Sequence, residues 1–380
     1  MGTTAIINLD NFLHNFSVIK SRIGTNCRIC VPVKANGYGH GAIEIAKTSL
    51  KAGAFCFGVA TVAEGTLLRN NGIDAPILIF SNAHPLDIPD IINNDLSPFV
   101  SDAEFVDILE NKNKGSGKKI QVHLKIDTGM GRMGCTPSDA PALAQKIVSC
   151  TTLEYRGTAT HFAVSDSSST GDIDYTRLQL KRFKDSVEKI KALGIDPGIL
   201  HTANSGGVIM HSDSWFDMVR PGIALYGYKA VEETNAAGLI DPNLVANPLD
   251  IKPVMELKTR VVFIKNIKKG ETISYGRIWT TNRDTVIATL PVGYADGFPR
   301  CVSNNWNVYI GGKPYPQVGR ICMDQCLVDL GPDSNVRRWE EVSIFGGFAP
   351  DASVLAEKAG TIPYEITCAI HERVPREYRS

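Results

Sequence analysis

A lysine followed by a glycine-rich string is the first feature of this chain that could do chemistry. Lys34 closes an apolar run, RICVPVK (28–34), and the chain continues as Ala35-Asn36-Gly37-Tyr38-Gly39-His40-Gly41, too rich in glycine for an ordinary surface helix. An amine at the end of a buried strand loses its proton more easily than one in water, and Schiff-base chemistry requires the free amine. Two other segments, Asn204-Ser205-Gly206-Gly207 and Gly222-Ile223, offer main-chain N–H groups and a hydroxyl of the kind that hold a phosphate. Cys27-x-x-Cys30 and Cys322-x-x-x-Cys326 have spacings that could be two halves of a zinc site. Cys30 sits inside the apolar run and no histidine lies in either segment, so packing thiols are the better reading and no metal is expected.

For these residues to act together the chain must carry them to one place. From residue 28 to about 227, short apolar runs alternate with helical stretches: RICVPVK, CFGVAT (56–61), PILIFS (76–81), LSPFVS (96–101), QVHLKI (121–126), YRGTATHF (155–162), GILHTAN (198–204) and FDMVRPGIALYG (216–227). The intervening helices end on glycine, as GAIEIAKTSLKAG does at Gly53 and DYTRLQLKRFKDSVEKIKALG at Gly194. Eight such units predict an α/β fold, an N-terminal (β/α)8 TIM-type barrel, with LSPFVS as its weakest strand. In such barrels the chemistry sits at the C-terminal ends of the strands, and Lys34, Lys125, His161, Asn204 with Ser205, and Arg220 all fall at or near such ends. After about residue 240 the helical period fades into MELKTRVVFIKNI, TVIATLPVGY, NVYIGGKPYPQVGRICM, CLVDLG and EVSIFGG, which predict a C-terminal mostly-β domain. The boundary falls in AAGLIDPNLVANPLDIKP, dividing the chain into 1–238 and 239–380.

The 380 residues carry 40 Lys+Arg and 40 Asp+Glu, so no net charge is available to hold a nucleic-acid backbone or an anionic membrane. The expected partners are a small molecule and copies of the same chain. The N-terminal MGTTAIINLDNFLHNF has no basic segment leading into an apolar stretch, and no apolar run approaches the roughly eighteen residues of a membrane span. Nine cysteines, an odd number in a long chain, suit reduced thiols, so a cytoplasmic setting is expected.

The string VPVKANGYGHG resembles the alanine racemase family, and the resemblance extends over almost the whole chain. KIDTGMGRMG (125–134), HFA (161–163), HTANS (201–205), RPGIALYG (220–227), SYG (274–276), GYADGFPR (293–300), GRICMDQ (319–325) and PYE (363–365) follow in the family's order. The resemblance implies a barrel and a β domain, pyridoxal 5′-phosphate as cofactor, a homodimer with shared active sites, and interconversion of L- and D-alanine to supply D-alanine for peptidoglycan. It implies that Lys34 holds the cofactor and serves as one base, with Tyr275 as the other, since racemisation removes a proton from one face of Cα and returns one on the opposite face. It places Tyr38 and Tyr364 with the phosphate, His161 near the ring, and Arg220 at the pyridine nitrogen. A guanidinium only donates, so that nitrogen stays unprotonated, the ring is a weaker electron sink, and reprotonation at Cα is favoured over transamination. Arg132 would take the substrate carboxylate in a two-point contact, Lys125 stands where many members carry a carbamylated lysine, and Met323 stands at a substrate position supplied by the neighbouring subunit. Arg300 and Arg320 fall in the access corridor. The alternatives are a racemase of another small amino acid such as serine, and a pyridoxal-phosphate decarboxylase of similar plan, which would want an acidic partner for the ring nitrogen where this chain has RPGI.

Overall fold

The computed structural model describes residues 2–229 and 248–380. Its eight-stranded parallel sheet is built from strands where the apolar runs stand. After β1 (Thr4–Asn8) come β2 (Arg28–Pro32), β3 (Cys56–Val59), β4 (Ile77–Ile79), β5 (Leu96–Val100), β6 (Ile120–Lys125), β7 (Leu153–Ala159), β8 (Ile199–His201) and β9 (Met218–Val219). Strands β2 to β8 pair in sequence order and β9 pairs with β2. The remaining gap is closed by the Asp217 N–H on the Leu200 carbonyl (3.1 Å) and the Arg220 N–H on the Ala203 carbonyl (2.8 Å), so the sheet is a barrel. Even β5 is buried at all five residues. Strands covered on both faces show unbroken apolar runs rather than alternation, which is why each could be read directly.

The outer helices follow from periodicity and caps. In the helix Thr170–Ala192 the buried residues Ile173, Thr176, Leu180, Phe183, Val187 and Ile190 recur at spacings of three and four, one stripe against the barrel. Its N-cap, Ser169, accepts from the Asp172 N–H, and Gly194 (φ 74°) ends it just past the last turn. The helix Val62–Asn70 begins with a capping box between Thr61 and Glu64.

The second domain is mostly β, with a six-stranded sheet, a three-stranded sheet (Phe263–Ile267, Thr285–Leu290, Cys326–Gly331) and a ribbon of Thr272–Ile273 with Trp279–Thr280. The six-stranded sheet contains β1, which lies between Met255–Arg260 (antiparallel) and Arg376–Arg379 (parallel). The N-terminal strand thus joins the sheet of the second domain although its sequence position precedes the barrel. The division at 238/239 lies among residues 230–247, outside the described residues. Two links seat the second domain beside the barrel mouth: Arg376 Nε donates to the Gly39 carbonyl (3.0 Å), and a side chain at Gly39 (φ 84°) would run into the Thr367 carbonyl of the helix Pro363–Cys368.

Candidate active site

The turn after β2 aims Lys34. Ala35, Asn36, Gly37 and Tyr38 have φ of 51°, 52°, 63° and 53°, a single turn of left-handed helix. Each non-glycine residue in that region is disfavoured by about 1–2 kcal/mol, so the turn persists only because its surroundings hold it. The Gly37 N–H meets the Val33 carbonyl at 2.7 Å and the Gly39 N–H meets that of Ala35 at 2.9 Å. Asn36 Oδ1 accepts from the Ala42 N–H (3.0 Å). Tyr38 is buried and stacked on Tyr226, ring centroids 4.8 Å apart.

Lys34 opens into a cavity of about 620 Å³ at the C-terminal ends of the strands. Ten residues picked out from the sequence line it: Lys34, Tyr38, Lys125, Arg132, His161, Asn204, Ser205, Arg220, Gly222 and Tyr364. Met130, Met133, Phe80 and Phe99 line it as well and carried no functional signal in the sequence. Ile223 is fully buried in the core, which leaves only its main chain to serve a ligand. Tyr275 and Met323 do not line the cavity. Both are on the surface of the second domain, 72% and 53% exposed.

Positive charge dominates the cavity. Burial, with Arg132 and Arg220 nearby, lowers the pKa of Lys34, opposed by Cys368 and Glu64. Lys125 is lowered further by complete burial and by the same two arginines, and its Nζ finds only the Ile126 carbonyl at 3.5 Å. Arg132 forms no ion pair among the described residues, so its guanidinium remains available to an anion. His161 is kept neutral by burial and by Arg220.

Arg220 is buried and held from several sides. It donates to His201 Nδ1 (2.7 Å), to the His201 carbonyl (2.8 Å), to the Thr160 carbonyl (2.7 Å) and to the Thr202 carbonyl (3.1 Å). Burial lowers its pKa to about 10, leaving it protonated at neutral pH. As a guanidinium only donates, His201 Nδ1 must accept, its proton sits on Nε2, and that nitrogen donates to His123 Nδ1 at 2.9 Å. The sequence assigned no role to His123 or His201. One histidine in a strand carries no sign of a partner 78 residues away.

On the other wall, Asn204 caps the helix Ser205–Met210 by accepting from the Gly207 N–H, and Ser205 Oγ accepts from the Ala224 N–H (3.2 Å), keeping its own hydroxyl proton to give. A Cβ at Gly222 would sit 2.6 Å from the Tyr38 hydroxyl, so only glycine lets Tyr38 and this stretch of main chain approach. Main-chain donors, a hydroxyl and two phenols face a space of the right size for a phosphorylated aromatic aldehyde, with a lysine of lowered pKa beside it. The residues present fit pyridoxal 5′-phosphate.

Residues 7–230 match the alanine racemase N-terminal domain and residues 254–378 the C-terminal domain. The chain is 47% identical over 381 residues to the alanine racemase of Treponema denticola, covering 99% of this chain and 97% of that one, and 42% identical to that of Treponema pallidum, covering 98% of each. Among solved structures, an alanine racemase of Clostridium difficile superposes with a TM-score of 0.91 at 36% identity, covering all of this chain and 96% of that one. One from Bacillus anthracis, solved with bound L-Ala-P, superposes with a TM-score of 0.89 at 33% identity, covering all of this chain and 95% of that one. Barrel, β domain, site motifs and whole-length identity agree, and the chain belongs to the alanine racemase family.

Proposed function

We propose that this chain interconverts L- and D-alanine in the cytoplasm, with pyridoxal 5′-phosphate held at Lys34, as a homodimer whose active sites are each completed by the partner. The observation that carries the reading is the convergence of ten motif residues on the cavity that holds the Lys34 amine. When bound, the cofactor supplies an electron-withdrawing ring that acidifies Cα of the attached amino acid. The protein supplies the rest. Tyr38, Tyr364, Ser205 and the amides near Asn204, Gly222 and Ile223 hold the phosphate, and Arg132 orients the substrate carboxylate. Lys34, its proton affinity lowered by burial and by Arg132, accepts or returns a proton at Nζ on its own face. Arg220, donor only, leaves the ring nitrogen unprotonated and keeps negative charge near Cα.

Tyr275 is the base for the other face. It lies outside its own chain's cavity and is exposed, as is Met323, so both are free to enter a partner's site. Nine free thiols suit a reducing compartment.

The test mixes two inactive variants, Lys34→Ala and Tyr275→Ala, after dissociation and reassociation. Random pairing makes half the dimers mixed, and each mixed dimer holds one intact site, so about a quarter of all sites recover. No recovery, with reassociation verified by differently tagged chains, rejects the shared site. Racemisation rates on alanine and serine separate the two substrate readings, and release of carbon dioxide would favour the decarboxylase.

A further inference from the structure

The left-handed turn that carries Lys34 is clamped from outside by one carboxylate. Glu64 Oε1 accepts from the Ala35 N–H at 2.7 Å, while Oε2 accepts from the Ala60 N–H at 2.7 Å and the Thr61 N–H at 3.3 Å. Capping of the helix Val62–Asn70 uses the longest of the three. The two short bonds instead join the end of β3 to the first amide after Lys34. Ala35 and Asn36 disfavour this backbone conformation, and Ala35 has no side chain able to hold its own turn.

We infer that Glu64 is a positioning residue for Lys34: its carboxylate fixes the first amide of the left-handed turn and thereby the direction in which the lysine stem enters the cavity. The inference rests on the reading that Lys34 carries the cofactor. Glu64, after Cys368, also opposes burial, Arg132 and Arg220 in setting the proton affinity of Lys34, so its charge acts on the amine whose stem its hydrogen bond to the Ala35 N–H orients.

The experiment compares Glu64→Ala, Glu64→Gln and Thr61→Ala as cofactor-free full-length proteins. Pyridoxal 5′-phosphate is added, and the rate of covalent attachment is followed against pH by borohydride trapping, with peptide mapping of the labelled lysine. Thr61→Ala removes the other half of the capping box, the Thr61 Oγ1 that accepts from the Glu64 N–H at 3.2 Å, and leaves the Ala35 bond in place. Glu64→Ala is expected to slow attachment about tenfold, the size of one lost hydrogen bond to a charged group. Both Glu64 variants should move the pH profile of attachment downward, because Lys34 loses a neighbouring negative charge. Thr61→Ala should lower thermal stability and leave rate and profile unchanged. If Thr61→Ala and Glu64→Ala slow attachment equally, or if neither Glu64 variant moves the profile, Glu64 is a helix cap and the inference is overturned. Should Glu64→Ala fail to fold, the near-isosteric Gln variant decides through its profile. Label on another lysine in the unmutated protein overturns the reading of Lys34 itself, an outcome distinct from the others.

Discussion

Replacing Arg220 by Met measures how much of the site depends on one buried guanidinium. Met has comparable length and no donor. The Thr160 and Thr202 carbonyls, at 2.7 and 3.1 Å, would lose their only donor among the described residues, whereas the His201 carbonyl keeps the Thr160 N–H at 3.4 Å. At about 1–3 kcal/mol for each orphaned buried group, the two carbonyls cost about 2–6 kcal/mol. Relief from burying a cation offsets part of this, leaving a net loss of about 2–4 kcal/mol, a large share of a typical total stability. Arg220→Lys keeps the charge and offers three donors against the five acceptors around Arg220, so its loss should be smaller, about 1–2 kcal/mol.

The assay is urea unfolding of the cofactor-free proteins at one fixed concentration, followed by tryptophan fluorescence. A Met variant within about 0.5 kcal/mol of the parent would refute the reasoning, since surface-like substitutions already span that range. A second readout separates packing from charge. With Arg220 present, His201 and His123 are locked neutral in one tautomer each, and burial together with Arg156 and Arg220 holds His123 down to about 3. In the Met variant the pair is released and loses a repelling cation, so nitrogen-15 NMR should find the histidine titrations moved upward. Unmoved titrations would mean that Arg220 does not set the state of these rings.

Two further outcomes follow from other groups. Lys125, buried and flanked by Arg220 and Arg132 with Asp127 as the opposing charge, has a strongly lowered proton affinity and should react with carbon dioxide to give a carbamate and a released proton. Carbon-13 NMR with labelled bicarbonate should detect the adduct, and a bare amine in the crystal structure of an active preparation would sink the idea. On the outer surface, burial opposes the charge of Glu110, but hydrogen bonds from the hydroxyls and N–H groups of Thr152 and Thr151 outweigh it and bring its pKa from 4.5 to about 2. A carboxyl with a depressed folded pKa adds stability above 4.5 that is lost as pH falls from 4.5 toward 2. The stability gap between the parent and Glu110→Gln should therefore close across that window, and a gap as wide at about pH 3 as at about pH 6 would contradict it.

The barrel was legible because strands buried on both faces cannot disguise themselves, and strand-end position then collected most of the site. β1 was not legible. Its five residues pair with Met255–Arg260 and Arg376–Arg379, and nothing within TAIIN points to partners so far along the chain. Glu64 was missed for a different reason. At the third position of a helix after Thr61 it reads as an ordinary capping box, and only the fold reveals that its shorter bonds run to Ala35 and Ala60. His201 and His123 are likewise unremarkable in β8 and β6 until β6, β7 and β8 bring their rings together.

Both proposed bases stand on backbone that costs energy to hold. Lys34 leads into the left-handed turn of Ala35 to Tyr38. Tyr275 sits between Ser274 (φ 65°), Gly276 (φ 71°) and Arg277 (φ 50°). Ser274 Oγ donates to the Arg320 carbonyl at 2.7 Å, and a Cβ at Gly319 would lie 2.7 Å from that of Ser274, so this turn is also fixed by its neighbours. Around Lys34 the compensation is visible within one chain, in the buried Tyr38 stack and the Glu64 clamp. Around Tyr275 it is incomplete, because the phenol is 72% exposed and gains nothing from burial where it stands. A strained turn that presents an aromatic side chain to solvent is explained when a second surface covers it. In the proposed dimer, the cavity of a second copy, where Lys34 would serve one face, is the surface that this geometry suits.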